Sequence, residues 1–174
     1  MPEANVIIEE AQASDAPAIQ ELIKQLSNET DFITETESLI SVPINRLAEQ
    51  LEKLTESPKE LCLLLKVDNH PVGLLNISNS HQADSDHIGE LFIAIKAPFQ
   101  GYGLGQDLLA IAIDWAIEID FLKKIELEVQ VENQKAIHIY EKFGFEIEGK
   151  RKLAVKTKDG EFRDVYLMGR ILEN

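Results

Sequence analysis

Three glycines within five residues join the best strand candidate of this chain to its best helix candidate. The apolar run LFIAIKA (91–97) leads into PFQGYGLGQ (98–106), and the apolar-rich segment DLLAIAIDWAIEI (107–119) follows. Because glycine costs backbone entropy, this junction is expected to need the bare main chain. A strand, a glycine-rich turn and a helix start together present unpaired N–H groups and the positive end of a helix dipole, which suits a phosphate group.

The spacing of these glycines argues against the two best-known nucleotide-binding loops. A P-loop requires Lys and then Ser or Thr directly after its last glycine, but Gln106 and Asp107 follow Gly105. A dinucleotide-binding loop that began at Gly101 would need its third glycine at position 106, which is glutamine. A tight turn without a ligand is the structural alternative. Residues 100–105 show a different pattern, in which Gln100 is followed by two residues, Gly103, one residue and Gly105.

Hydrophobic periodicity in the first two thirds of the chain predicts alternating strands and helices. A short strand at 5–11 precedes an amphipathic helix for which Ser14 and Asp15 offer N-cap chemistry. A polar, acidic loop is predicted next, then a second helix that ends before Pro58. A hairpin with Asp68 and Asn69 in its turn leads to a third strand and a long helix. The predicted segments are the loop at 27–43, the second helix at 44–54, strands at 60–67, 71–78 and 87–96, and the long helix at about 103–120, whose apolar stripe is Leu104, Leu108, Ile111, Trp115 and Ile119.

The last third contains a strictly alternating strand and a capped helix. In KKIELEVQVEN (123–133), apolar residues face one way while Glu126, Glu128 and Gln130 face the other, so the polar face is predicted to border water or a cavity. The helix that follows starts at an Asn133 cap and ends at Gly144. Two last strands are predicted at 145–149 and 161–172 around the turn KDG (158–160).

Composition limits the partners. With 17 basic and 31 acidic residues and a net charge of −14, the chain is not expected to bind nucleic acid or an anionic membrane. No signal peptide or long apolar run is evident, so a soluble, cytoplasmic protein with a single domain over residues 1–174 is expected. Cys62, the one cysteine, lies in an apolar run typical of a buried thiol. The histidines show no paired spacing, so no metal site is expected.

Residues 100–105 resemble the acetyl-coenzyme A loop of the GNAT superfamily of N-acetyltransferases, whose pattern is Arg or Gln, two residues, Gly, one residue, then Gly or Ala. Downstream, LEVQVENQKAIHIYEKFGFEIEG (127–149) is similar to the second signature of that superfamily. The two blocks cover residues 88–149. The resemblance implies an α/β (α+β) fold with a mixed central sheet of about six to seven strands flanked by about four helices. It also implies an acyltransferase that uses acetyl-CoA as co-substrate and no metal.

By this resemblance, the coenzyme lies along the strand before the glycines and over the glycine-rich loop. Its pantetheine arm pairs with the strand, main-chain donors of the loop hold the pyrophosphate, and an asparagine of the following helix completes the contacts. The residues implied are Ile93, Ala94, Ile95, Gln100, Gly101, Tyr102, Gly103, Leu104, Gly105, Gln106 and Asn133.

The resemblance also implies catalytic residues. Asn133, Ile137 and Tyr140 share one helix face, and Tyr140 is expected to reach the coenzyme sulfur as an acid, although a core tyrosine is the structural alternative. Glu128 is a candidate base, with Glu90 as its competitor, and both are also compatible with solvated carboxylates or with deprotonation through water. Direct attack in a ternary complex is expected, without a covalent enzyme intermediate.

The sequence does not identify the acceptor amine. The C-terminal third is similar to superfamily members that acetylate spermidine, free amino acids or ribosomal protein N-termini, so a small-molecule or peptide amine is expected. Four carboxylates in the predicted loop suggest a cationic polyamine, although a solvated acidic loop is the simpler interpretation: Glu29, Asp31, Glu35 and Glu37. A non-catalytic acyl-CoA-binding regulatory module is the alternative function. A homodimer is possible through the apolar segment VYLMGRIL (165–172).

Overall fold

A computed structural model describes residues 3–34 and 36–173. Its strands are β1 (Val6–Glu10), β2 (Leu61–Val67), β3 (His70–Asn79), β4 (Ile88–Ile95), β5 (Lys124–Gln130), β6 (Glu146–Lys156) and β7 (Phe162–Ile171). Its helices are α1 (Ala16–Glu29), α2 (Glu37–Ser41), α3 (Ile44–Glu56), α4 (Leu104–Glu118) and α5 (Gln134–Lys142). The strands form one mixed sheet in the order β1-β2-β3-β4-β5-β7-β6, which confirms the predicted α/β class.

The sheet separates two apolar cores. On one face α1 and α3 cover the sheet, and on the other α4 and α5 do so. The sequence of strand β2 explains why both of its faces can be covered, because the strand is apolar at every position from Leu61 to Leu65. Leu63 and Leu65 pack under α4, whereas Cys62 and Leu64 pack under α1 and α3. A central strand with both faces covered therefore needs the continuous apolar run that the sequence has.

The hairpin between β2 and β3 forms as predicted. Asp68 and Asn69 both have positive φ, of 49° and 65°, which is the backbone of a two-residue hairpin turn that matches the twist of the strands. Asp68 also accepts a hydrogen bond from the Asn5 N–H at 3.0 Å. The turn thus joins β2 to β3 as an antiparallel pair, and β4 pairs with the other edge of β3.

Strands β4 and β5 pair in parallel over only three positions. Residues 88–90 lie opposite residues 124–126, and within the described chain no further pair joins the two strands. Strand β5 instead continues along β7 as far as Gln130, which faces Val165. Beyond Glu90 the two strands diverge, so the β5-facing edge of residues 91–95 borders a gap in the sheet. This gap positions the candidate site.

Four predictions about the helices and strands need correction. The segment 27–43 is not all loop, because α1 runs to Glu29 and α2 forms at Glu37–Ser41; a five-residue helix is too short to show a period. Asp15 stands at the N-cap of α1, yet its side chain accepts from the Gln12 N–H at 2.8 Å and not from the helix. Strand β6 extends to Lys156, well beyond the predicted end at residue 149. Ile111 of α4 is 43% exposed, since the sheet-facing stripe consists of Leu104, Leu108, Leu109, Ala112, Ile113 and Ala116.

The predicted dimer contact through residues 165–172 is also wrong in its detail. This segment belongs to β7, which pairs with β5 on one side and with β6 on the other. It therefore has no free edge to offer a second chain, and a homodimer stays a prediction without a located interface.

Among the described residues, no helix combines the length and apolar character needed to cross a membrane.

Candidate active site

The gap between β4 and β5 opens into a cleft with a volume of about 560 Å³. Strand β4, the loop before α4, the start of α5, the end of β5 and the chain after α1 surround it. All predicted site residues except Tyr102 and Glu90 line this cleft: Ile93, Ala94, Ile95, Gln100, Gly101, Gly103, Leu104, Gly105, Gln106, Glu128, Asn133 and Tyr140. The structure thus brings together residues that the sequence separates by more than forty positions.

The loop of residues 98–106, hereafter the glycine loop, depends on two of its glycines for its conformation. Gly101 and Gly103 have φ of +85° and +82°, and a Cβ at either position would meet nothing within 4 Å. The requirement is therefore backbone conformation and not space. At Gly105 a Cβ would make ordinary contact with Ile95, at 3.5 Å. The fold therefore has room for a methyl group at this third glycine.

The glycine loop leaves main-chain donors free at the start of α4. Gln106 and Asp107 both donate their N–H to the Gly103 carbonyl at 3.0 Å. The N–H groups of Gly103, Leu104 and Gly105 have no hydrogen-bond partner among the residues that the structure describes. Unpaired N–H groups at a helix N-terminus bind anions through hydrogen bonds and the helix dipole. The local geometry therefore fits a phosphate group despite the net negative charge of the chain.

Side chains brace this loop. The Gln100 Nε2 donates to the Ile95 carbonyl at 2.8 Å, which ties the loop to the end of β4. Lys142 of α5 donates to Gln106 Oε1 at 2.7 Å, so a positive charge lies beside the start of α4. Tyr102, in contrast, is 55% exposed and lies outside the cleft.

Helix α5 supplies the opposite wall. The Asn133 side chain accepts from the Ala136 N–H at 3.3 Å, which confirms the predicted cap. Tyr140 packs its ring against Phe145 with 5.9 Å between centroids. Burial raises the pKa of the Tyr140 phenol to about 12. Its hydroxyl forms no hydrogen bond to any described residue, so it is available to a ligand in the cleft.

The two candidate bases lie in different places. Glu128 lines the cleft near the end of β5 and forms an ion pair with Arg151 of β6, with 2.5 Å between Oε1 and Nη1. Both side chains are about half exposed. Glu90 is exposed and sits opposite Ser78 and Glu126 in the paired part of the sheet, and it is not among the residues that line the cleft.

The far end of the cleft is closed by the chain after α1, which contributes Phe32 and Ile33. Gln130 holds this segment, because its Nε2 donates to the Asp31 carbonyl at 2.6 Å. Arg163 of β7 donates in turn to Gln130 Oε1 at 3.3 Å. Sequence reasoning placed Gln130 on the polar face of β5 but missed this network, because nothing local indicates which strand lies beside β5.

The described acidic residues of the predicted loop, Glu29, Asp31 and Glu37, do not converge on the cleft. Glu29 lines it, and its Oε2 accepts from the Ala97 N–H at 2.9 Å. Asp31 contributes its main-chain carbonyl to Gln130, and Glu37 lies in the first turn of α2. Glu35 lies outside the described residues.

Known proteins share this fold and sequence. Residues 21–145 match the Acetyltransferase (GNAT) family. The L-amino acid N-acetyltransferase AaaT of Escherichia coli (strain K12) is 27% identical over 168 residues, which is 97% of this chain and 99% of that protein. The spermidine N(1)-acetyltransferase of Vibrio cholerae is 34% identical over 115 residues, which is 66% of this chain and 60% of that protein.

Solved structures extend the comparison. An acetyltransferase of the GNAT family from Streptococcus pneumoniae superimposes with a TM-score of 0.92 at 34% identity, over 97% of this chain and 100% of that chain. The yncA protein of Salmonella typhimurium with its cofactor acetyl-CoA gives a TM-score of 0.84 at 19% identity, over 98% of this chain and 95% of that chain. Acetyl-CoA is the co-substrate of the family, and the free N–H groups of the glycine loop fit its pyrophosphate. The chain belongs to the GNAT family of acetyltransferases, enzymes of acetyl-CoA-dependent N-acetylation.

Proposed function

We propose that this enzyme transfers the acetyl group of acetyl-CoA to the primary amine of a small molecule by direct attack within a ternary complex. The observation that carries the proposal is the position of the free Tyr140 hydroxyl in the same cleft as the unpaired N–H groups of the glycine loop. The N–H groups support binding of the pyrophosphate, and the Tyr140 hydroxyl supports chemistry at the sulfur.

The residues proposed to hold the coenzyme follow the cleft from β4 to α5. The open main-chain edge at Ile93, Ala94 and Ile95 suits an extended arm, because no strand occupies that edge among the described residues. The donors of residues 101–106 suit the pyrophosphate, with Gln106 the weakest because its N–H already donates to Gly103. Asn133 lines the cleft and keeps its side-chain amide N–H groups available.

Tyr140 is proposed to assist departure of the thiol. Bound acetyl-CoA supplies a thioester carbonyl that a neutral amine attacks, with the coenzyme thiol as the leaving group. A phenol whose pKa stands near 12 is a weaker acid than a thiol, whose pKa is about 8.5 in cysteine. Tyr140 therefore stabilises the departing sulfur mainly by donating a hydrogen bond, which strengthens as negative charge develops there.

Glu128 is proposed to remove the proton that the acceptor amine carries at neutral pH. Only one of its carboxylate oxygens is engaged by Arg151, so the other is free to accept a proton from the amine or from an intervening water. The ion pair with Arg151 holds the carboxylate in the lining of the cleft. Glu90 lies outside the cleft, so it is the weaker of the two candidates.

Initial-rate kinetics with purified protein test the proposal. Acetyl-CoA and an amine acceptor should give intersecting double-reciprocal lines and equal yields of free thiol and acetylated amine. The matched N,N-dimethyl analogue of the same acceptor should yield no product, since a tertiary amine cannot form a stable amide. Parallel lines would indicate a covalent enzyme intermediate, and binding of acetyl-CoA without transfer to any amine would favour the non-catalytic module instead.

A further inference from the structure

Arg151 and Arg163 share a sheet face with two residues that line the cleft, Glu128 and Gln130, although neither arginine is among the lining residues. Strand register places Val165 opposite Gln130, and Arg151 opposite Val165 on the other side. Residues directly opposite in a sheet share a face, and so do residues two apart along a strand. Arg163, Gln130, Arg151 and Glu128 therefore share one face, which we call the acceptor face. Two contacts agree with this placement: Arg151 pairs with Glu128, and Arg163 donates to Gln130.

Arg163 is only partly engaged. Its side chain is 22% exposed, and its guanidinium makes one hydrogen bond, to Gln130, and one long ion pair, of 3.8 Å, to Glu161. Glu161 itself is 72% exposed, so solvent screens that pair. The guanidinium also lies 6.0 Å from the centre of the Phe32 ring, and Phe32 lines the cleft. An arginine presents five N–H donors in a planar fork that matches a carboxylate, so Arg163 retains donors for a ligand.

The charges at this end of the cleft decide between two kinds of acceptor. A polyamine would need several free carboxylates, but among the described residues the only acidic ones that line the cleft are Glu29 and Glu128, and Glu29 is bonded to the Ala97 N–H. The Arg163 guanidinium, next to the lining residues Phe32 and Gln130, would repel the distal ammonium groups of a polycation. An acceptor with one amine and one carboxylate has charges that complement these residues, because Glu128 attracts its ammonium group and Arg163 attracts its carboxylate.

We propose that the acceptor is an amine that also carries a carboxylate, in the class of free amino acids, and that Arg163 binds this carboxylate. The inference rests on the proposed function, and it names the substrate class of the same site. Phe32, whose ring lies beside the Arg163 guanidinium, and Ile33 both line the cleft, so they would face the remainder of the acceptor. Arg163 acts as a specificity-determining residue and takes no part in proton transfer.

The test compares acceptors that differ only at the carboxylate. Acetyl transfer is measured with the standard L-amino acids, then with the amide and methyl ester of the best of them, and with spermidine. Wild type is compared with Arg163→Gln, with Arg163→Lys and with Arg46→Gln, the last a control in which the altered arginine is exposed on α3. The readout is the ratio of kcat/KM for the free acid to kcat/KM for its amide, measured in each variant.

Dividing the wild-type ratio by the Arg163→Gln ratio cancels the different basicity of the two amines. This quotient should lie between about 10 and 100, the worth of a charged hydrogen bond, and should arise mainly in KM. Arg163→Lys should recover part of it, and Arg46→Gln should give a quotient near one. A purely structural role for Arg163 would lower transfer to both acceptors equally and would overturn the inference.

The outcomes separate the inference from the proposed function. Transfer to spermidine, esters or amides at least as efficient as transfer to free acids would overturn the inference and leave N-acetylation intact. Binding of acetyl-CoA without transfer to any of these amines would overturn both.

Discussion

Glu90 faces Glu126 across the last pair of the parallel ladder between β4 and β5. One side-chain repeat later on the same face of β5 comes Glu128, at a point where β4 has already diverged. The pair at Glu90 thus marks the closed end of the gap in the sheet, and Glu128 stands where the gap has become a cleft. Two carboxylates that the sequence alone ranks as competitors therefore differ in access to a ligand.

Replacing Glu128 by Gln should lower kcat/KM by about 100-fold or more, since general-base assistance contributes 10²–10⁴-fold. Glu90→Gln is the matched control and should stay within about twofold of wild type, as expected for a surface position. Equal losses in the two variants would contradict the assignment of Glu128.

Tyr140→Phe removes one hydroxyl and keeps the ring that packs on Phe145. We expect kcat to fall by about 10²–10³-fold while the affinity for acetyl-CoA changes little, because the lost hydrogen bond strengthens only as the sulfur becomes charged. Binding is measured by calorimetry and turnover by thiol release. Tyr166→Phe, in a half-buried tyrosine of β7, should be nearly silent. Unchanged turnover in Tyr140→Phe would refute the proposed mechanism.

Gly103→Ala separates conformation from binding in the glycine loop. A left-handed alanine costs about 1–2 kcal/mol, and relief of that strain would turn the N–H groups of the loop away from the cleft. Gly160 offers a close control, because its φ is +86° and its Cβ would also meet nothing within 4 Å. Both variants should lose similar stability in urea unfolding, but only Gly103→Ala should lose affinity for acetyl-CoA. Equal affinities would show that the loop does not contact the coenzyme.

Features that depend on a few neighbouring residues were predictable from the sequence. The Asp68–Asn69 turn and the Asn133 cap each follow from main-chain geometry that only some residues adopt. The polarity of β5 was predicted for a related reason, since alternation reports directly which residues face an open space. The glycine loop belongs to the same group, because its signal is contained in residues 100–105.

Features that depend on the order of strands were not predictable. The bond from Gln130 to Asp31 spans 99 positions, and the contact of Arg163 with Gln130 requires β7 to lie beside β5. No local pattern reports that β7 is inserted between β5 and β6. The exposure of Ile111 has a similar origin, because α4 is apolar on several sides and only packing decides which stripe meets the sheet.

Cys62 gives a prediction about stability at high pH. Burial raises the pKa of its thiol from an ordinary value of 9.0 to about 12, and the nearby Asp15 carboxylate adds to the rise. The unfolded chain therefore releases this proton at lower pH than the folded chain does. The resulting stabilisation is complete below pH 9 and is lost as the pH rises from about 9 to about 12.

Cys62→Val lacks the ionisable group and should escape this loss. Between about pH 7.5 and about pH 10.5, the free energy of unfolding of wild type should fall by about 2 kcal/mol more than that of the variant. Urea unfolding at both pH values measures the difference, and Cys62→Ala tests whether packing matters, since its cavity should shift stability equally at both pH values. Parallel pH dependence in wild type and both variants would mean that the thiol ionises in the folded protein as readily as in the unfolded chain. The buried position between β2 and the helices α1 and α3 makes that outcome physically costly, because a thiolate there would lose its hydration and would lie near the negative charge of Asp15.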